Sequence, residues 1–416
     1  MHLRGPRASS STDKDSSVNN TPTVDDLRNA LVDQIVAKRP LPPRVERAMR
    51  TVHREVHLPG VGPAVAYSNK AVTIKDNPQG PLALSCASVP STVAMMLGQL
   101  DAQPGDRILE IGAGTGYNAA LLSEIVGEDG EVTTIDIDAD VTQHARDALN
   151  KTGYQQVRVM ERDGLKGAPE YGPYTRMIGT VGFWDIPAAL RAQLIDGGRF
   201  VLPLRWRGQT RSVVLNRQGE ALFCSDMELC GFVPIVGQDG ERILDLADGT
   251  VRVHHDQDQD MDPARLNDAL TQPTAETWSE VRIGGEESFD GIWLRATAFE
   301  DTICRLEATR VAVENGLRRP VIIGRSPALV AGGSLAYLIS KRDDTDPERP
   351  SLLGAAHLGP DGADLAKRLV AHITAWAADR TAVPDLAIYP AGTPDNELPA
   401  GHVIEKAHSR VVLSFA

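Results

Sequence analysis

Between Leu109 and Tyr117 the chain reads LEIGAGTGY, three glycines alternating with other residues directly after an apolar run. Glycine tolerates backbone angles and close approaches that a Cβ forbids, so this pattern marks a loop on which a small molecule lies against the main chain. A loop that cradles a dinucleotide pyrophosphate needs GxGxxG, and counting from Gly112 and Gly114 the third glycine would fall at Tyr117. The spacing is instead Glu110-x-Gly112-x-Gly114-x-Gly116, with a carboxylate near the end of the preceding strand. The loop is not built for a pyrophosphate.

An acidic residue followed by GxGxG at the end of a first strand is the pattern of class I methyltransferases, which bind S-adenosylmethionine. That ligand carries an amino-acid moiety rather than a pyrophosphate. Gly112, Ala113, Gly114 and Gly116 let backbone approach this moiety, while Glu110 meets the ammonium directly or through water. Twenty residues after Gly116, Asp136 closes the strand VTTID, where a carboxylate can accept both ribose hydroxyls. Beyond the next strand, Asp163-Gly164 offers a carboxylate and a tight turn beside the adenine edge. Singly, Asp136 reads as a helix cap and Gly164 as a turn. In order, at the ends of successive strands, they read as one cofactor site.

The elements that must position these residues follow from periodicity. Thr23 and Asp26 form a helix-start pair ahead of Val24, Leu27, Leu31 and Ile35, and the helix stops at Pro40 to Pro43. Val45, Ala48, Met49 and Val52 give a second short helical face, and STVAMMLGQL a third helix entered after Pro90. Then strand RILEI, helix YNAALLSEIV, strand VTTID, helix VTQHARDALN and strand VRVME alternate, followed by strands at 176–181 and 199–203 around a helix at 187–194. Strands separated by such helices predict an α/β fold, a Rossmann-like, doubly wound, mostly parallel sheet. Runs at 211–216 and 227–234 add antiparallel edges. Past Gly237 the rhythm changes to strand-like runs GIWLRATAF, PVIIGR, LAYLIS and RVVLSF with one clear helix, 363–378, which predicts a separate α+β unit. The expected division is a disordered tail at 1–20, a cofactor-binding domain at 21–237 and a C-terminal α+β domain at 238–416.

Composition bounds the function. The chain has 416 residues, 43 basic against 56 acidic side chains and a net charge of −13, which argues against a nucleic-acid partner. No apolar run is long enough to cross a bilayer, so no membrane association is expected. Cys86, Cys224, Cys230 and Cys304 show no CxxC pairing, which fits a reducing cytoplasm. Asp256, Asp258, Asp260 and Asp262 imitate the start of a calcium loop, but Met261 and Asn267 replace its glycine and bidentate glutamate. His254-His255 has no second ligand pair and reads as a surface loop, so no metal is expected. Arg205, Arg207 and Arg211 read as a solvated turn, or as a patch that draws in an acidic peptide. Trp278, Trp293 and Trp376 read as core of the second unit.

Over residues 23–237 the sequence resembles the protein-L-isoaspartate O-methyltransferase family. The resemblance is carried by DDLRNALVDQIVAKR, RVERAMRTVHRE, Ala66-Tyr67, Ser88-Val89-Pro90 with VAMM, LEIGAGTGYNAALLSEIVG, DGLKGAPEYGPY, IPAALRAQLIDGGRFVLPL and CGFVPIVG. It implies that Ser88 is the active-site serine, that Ser85 to Ser88, Cys86 among them, line the cofactor and substrate, and that Thr115, Asp136, Ile137, Asp163 and Gly164 bind the cofactor. Without it, Ser88 reads as a cap ahead of Pro90. Cys86 stands where the family often has Thr, and Tyr174-Thr175 where it has Tyr-Asp. AYSNKAV, QLDAQPGDRILEIGAGTGYNAALL and LRWRGQTRSVVLNR with LCGFVPIVG further resemble the FxLD-type methyltransferases associated with ribosomally made, modified peptides. That likeness implies methylation of an Asp side chain in a precursor peptide, leading to aspartimide or isoaspartate, as in lanthipeptide tailoring. Three functions are therefore expected to compete: peptide tailoring, general isoaspartate repair, and a non-catalytic peptide-binding protein on the same fold.

Overall fold

The computed structural model describes residues 22–75, 85–343 and 345–415. The tail expected at 1–20 lies outside them. The chain enters regular structure at Val24–Lys38, where Thr23 Oγ1 accepts from Asp26 N at 3.1 Å and Asp26 Oδ2 accepts from Thr23 N at 2.9 Å, the expected reciprocal cap. Pro43–Thr51 and Pro90–Leu100 follow, each starting on a proline whose missing N–H is harmless in a first turn.

The alternating segment builds the parallel part of a ten-stranded sheet. Arg107–Ile111 lies between Glu131–Asp136 and Tyr174–Gly179, with Arg158–Glu161 outside the former and Leu194–Trp206 outside the latter. The chain thus builds outward in one direction and then jumps back across its first strand. Such a reversal opens a crevice at the carboxyl ends of the strands, where the glycine loop sits. One face packs Leu31, Val32, Met49, Leu97 and Leu122 against the sheet; the other packs Leu109, Met177, Phe183, Phe200 and Leu202.

Gln209–Gln218 and Ala221–Leu229 continue the sheet in antiparallel fashion. The run expected as a strand at 227–234 is only partly one: Phe232 to Val236 leave the sheet and line the crevice. The remainder forms a seven-stranded antiparallel sheet, from Glu241–Leu246 to Ser351–Leu358, with Gly362–Ala378 laying Leu365, Leu369, Ile373 and Trp376 across it.

Three expectations for this region are corrected. GIWLRATAF forms the helix Asp290–Ala296, not a strand, because its apolar run is buried on several sides and such a run carries no period that separates strand from helix. PVIIGR lies outside the regular strands. The unit expected at 238–416 is not contiguous: Asp385–Pro390, Ser409–Ser414 and His402–Glu405 return to the first sheet and cover the edge of Ala221–Leu229.

Of the arginines expected in a solvated turn, Arg207 and Arg211 are buried instead and Arg205 is half-buried. Arg207 binds Asp258 through both terminal nitrogens, at 2.7 and 2.8 Å, and Arg211 meets Asp290 at 2.6 Å. Arg205 pairs with Glu241. Lys406, on the returning chain, donates to Arg205 O at 2.7 Å and to Trp184 O, and burial pushes its ammonium down to about 8. His254 is buried within Val251–Asp256 and contacts Glu307 and Arg305, so it is not in a surface loop. Trp293 and Trp376 are core, whereas Trp278 is half-buried under Lys341.

Candidate active site

The crevice has a floor, two walls and a strut. The floor is the glycine loop, which turns from Arg107–Ile111 into the helix Tyr117–Val126. Gly112 has φ +102°, and a Cβ there would collide with Thr180 Oγ1. At Gly116 an added Cβ would lie 3.0 Å from Ala145 O. These two glycines are required by protein packing. Gly114 differs: its φ is +51° and a Cβ would meet nothing within 4 Å, so here the bare backbone faces open space.

Glu110, fully buried at the base, accepts from Asn118 Nδ2 at 2.7 Å and Thr134 Oγ1 at 2.6 Å. Burial outweighs these bonds, and with Asp136 nearby its carboxyl is raised to about 7. Asp136 Oδ2 accepts from Gly114 N at 3.2 Å, and its Oδ1 accepts from Asp138 N at 3.2 Å. Burial raises its pKa as well. A crevice whose two carboxyls are both shifted upward suits a ligand with an ammonium and hydroxyls, which would favour their ionised forms.

The first wall is Ser85–Ala87 with Ser88, followed by Pro90 at the first turn of its helix. The Ser88 hydroxyl has no hydrogen-bond partner among the described residues, which leaves it free to donate into the crevice. Burial pushes the Cys86 thiol up, against the opposing field of Arg54, so it remains a protonated thiol at neutral pH. The second wall is Phe232 to Val236 with Gly164 and Val181. Ile137 and Val236 both line the crevice yet are 47% and 60% exposed, apolar surface that a flat apolar ring would remove from water.

The strut is the short helix Arg54–His57, which sequence reasoning did not single out. Arg54 Nη2 donates to Ser88 O at 3.0 Å, while His57 Nδ1 lies 3.0 Å from Thr115 O. One turn of chain therefore fixes the serine wall relative to the glycine loop. Burial pushes His57 down to about 4, so the ring is neutral and its Nδ1–H is the donor.

The structure brings together Ser85, Cys86, Ser88, Glu110, Gly112, Ala113, Gly114, Thr115, Asp136, Ile137 and Gly164 as lining residues. Gly116 caps the helix just behind them. Asp163 is not among the lining: its Oδ1 accepts from Leu165 N at 3.0 Å and Oδ2 faces Lys166, so it shapes the turn that presents Gly164. Thr180, whose Oγ1 donates to Gly112 O at 2.6 Å, was also missed, and its only signal was its place at a strand end. CGFVPIVG is legible as a motif, but its residues 230–234, expected as strand, lie past the strand end at Leu229.

Comparison with known proteins follows the same lines. Residues 26–240 match the family model for protein-L-isoaspartate(D-aspartate) O-methyltransferase (PCMT). A protein-L-isoaspartate O-methyltransferase of Rhodopseudomonas palustris is 38% identical over 221 residues, which span 53% of this chain and 97% of that protein. The enzyme of the same description from Methanopyrus kandleri is 38% identical over 161 residues, 37% of this chain and 69% of that one. Among solved structures, a putative protein-L-isoaspartate O-methyltransferase of Plasmodium falciparum in complex with S-adenosyl-L-homocysteine is 14% identical. It covers 51% of this chain and 99% of its own, with a TM-score of 0.43.

Proposed function

Because the chain belongs to the protein-L-isoaspartate(D-aspartate) O-methyltransferase family and is an S-adenosylmethionine-dependent carboxyl O-methyltransferase, we propose that it methylates an aspartyl or isoaspartyl carboxylate in a dedicated peptide, a ribosomally made precursor. When bound, S-adenosylmethionine supplies an electrophilic methyl group. Gly112, Ala113, Gly114 and Thr115 would lie along its amino-acid moiety, with Glu110 beneath the ammonium. Asp136 would accept from the ribose, and Ile137, Gly164 and Val236 would enclose the adenine.

The chain need not supply a base. A carboxylate with an ordinary pKa of about 4 is already ionised at neutral pH. What remains is alignment and the removal of water, and the apolar walls at Val93, Met96, Phe232 and Val233 provide a dry approach. Ser88 would donate its free O–H to the acceptor oxygen and hold it in line. The ester product is activated toward the next backbone nitrogen, and loss of methanol closes an aspartimide.

The observation that favours a dedicated peptide is the large unit beyond the family match. It is latched to the strands behind the crevice and the turn between them by two buried arginines, Arg207 paired with Asp258 and Arg211 with Asp290. A fixed second body beside the active site suits one defined substrate better than many damaged proteins. General isoaspartate repair is the alternative, and the family match itself favours it. Competition separates the two. With equal amounts of a generic isoaspartyl hexapeptide and a constrained aspartyl precursor peptide, the tailoring reading predicts methylation of the precursor at least tenfold faster. Equal or faster methylation of the hexapeptide would establish repair.

A further inference from the structure

The strut behind the serine wall carries a buried positive charge with no acidic partner among the described residues. Arg54 is 1% exposed, yet it lines the crevice. Its Nε donates to Ala66 O at 2.9 Å and its Nη2 to Ser88 O at 3.0 Å, while the guanidinium carbon lies 5.0 Å from the centre of the Tyr117 ring. Its third nitrogen, Nη1, donates to nothing among the described residues, and no carboxylate forms an ion pair with it. Carbonyls and an aromatic face offset only part of the cost of a buried cation, and an isolated buried charge is strongly unfavourable. Arg207 and Arg211, also buried, each have a carboxylate partner, and Arg191, buried without an ion pair among the described residues, donates to Ile186 O and His408 O from a place outside the crevice. Arg54 has instead the open crevice, the unpartnered Ser88 hydroxyl and the neutral Cys86 thiol beside it.

We propose that Arg54 is the carboxylate-binding residue of this crevice, with Nη1 donating to a carboxylate that enters beside Ser88. The proposal rests on the function inferred above. Two ligands there carry that chemistry, the amino-acid end of the cofactor and the acceptor group of the peptide. Arginine suits the role because its guanidinium stays charged when buried, and its remaining nitrogens are already fixed by Ala66 O and Ser88 O, so little freedom is lost on binding. The same bonds tie the position of the captured carboxylate to that of the serine.

The test compares wild-type protein with Arg54→Gln and Arg54→Lys, after thermal melts confirm folding. Titration uses S-adenosylhomocysteine and its analogue lacking the carboxylate, and turnover uses a synthetic isoaspartyl hexapeptide and the precursor peptide. If the cofactor supplies the carboxylate, Arg54→Gln weakens S-adenosylhomocysteine at least tenfold and the analogue less than twofold. If the acceptor supplies it, cofactor affinity is unchanged, KM for the methylated peptide rises at least tenfold, and Arg54→Lys restores part of the loss. Equal weakening of both cofactor ligands with KM unchanged, or no change in any of these quantities, overturns the proposal in favour of a strut alone. If neither variant folds, crystals of wild-type protein with S-adenosylhomocysteine and with hexapeptide decide. A carboxylate oxygen within hydrogen-bond distance of Nη1 supports the proposal, and its absence in both complexes overturns it. A wild-type enzyme that methylates neither peptide contradicts the proposed function, and the Arg54 proposal then rests on the cofactor comparison alone.

Discussion

Glu110 is the residue whose chemistry the environment changes most. Its folded carboxyl, raised to about 7 by burial, holds a proton that the unfolded chain, with an ordinary value of 4.5, gives up earlier. Between those values the folded state binds more protons, so this group's contribution to stability falls as pH rises through the window. A ligand ammonium beside Glu110 reverses the preference by favouring the ionised form. S-adenosylhomocysteine should therefore bind about tenfold more tightly at pH 8 than at pH 6, with proton release at the lower pH. Glu110→Gln should bind more weakly and with little pH dependence; calorimetry in buffers of different ionisation heat measures both. Ser88→Ala should keep cofactor affinity within about twofold and lose about ten- to a hundredfold in turnover, the worth of one hydrogen bond to a charged group. Unchanged turnover would show that the serine is misassigned. Glu110, Asp136 and Gly164 were legible because their types recur at strand ends in order. Arg54 and Thr180 were not, because their roles arise from contacts between segments far apart in sequence, such as Arg54 with Ser88 and Thr180 with Gly112.

At the scale of elements, the glycine loop separates folding from binding. Gly112→Ala forces a side chain into backbone at φ +102° against Thr180, and should cost about 2–5 kcal/mol, visible as a large fall in thermal midpoint. Gly114→Ala meets open space and should cost only about 1 kcal/mol for its left-handed backbone. Its added methyl stands where the ligand would lie, so cofactor affinity should fall at least tenfold in a protein that still melts cooperatively. Equal thermal losses in both variants would mean that Gly114 also serves packing. The helices and parallel strands here were legible because caps, apolar period and turn residues agree, as at Thr23 and Asp26. The helix Asp290–Ala296 was not, because Ile292, Trp293 and Leu294 are all buried and leave no polar face to reveal a period.

The whole molecule is bound together by a chain that leaves the first sheet and returns. Ala387 and Ile388 pair with Phe223 and Leu222, and Lys406 is buried beside Trp184 and Arg205, so residues after 380 complete the core of the cofactor-binding unit. A fragment ending at residue 240 should therefore aggregate or melt well below the full chain, because it exposes the edge of Ala221–Leu229 and leaves Asp185 and Arg205 O without Lys406 and Ser409. A fragment as stable as the full chain, by thermal scan and gel filtration, would contradict this. The return was not legible because RVVLSF has the alternation of a strand but nothing local that names its neighbour, and pairing partners far apart in sequence are set by the assembled edges. The fate of a labelled methyl group tests the reaction at this cleft most directly. With S-adenosylmethionine labelled in that group, full-length protein should transfer label to a peptide carrying an aspartyl or isoaspartyl carboxylate, and mild base should release it as methanol. Label that resists base, or that appears on the peptide only when its carboxylates are blocked, would contradict a carboxyl methyltransferase.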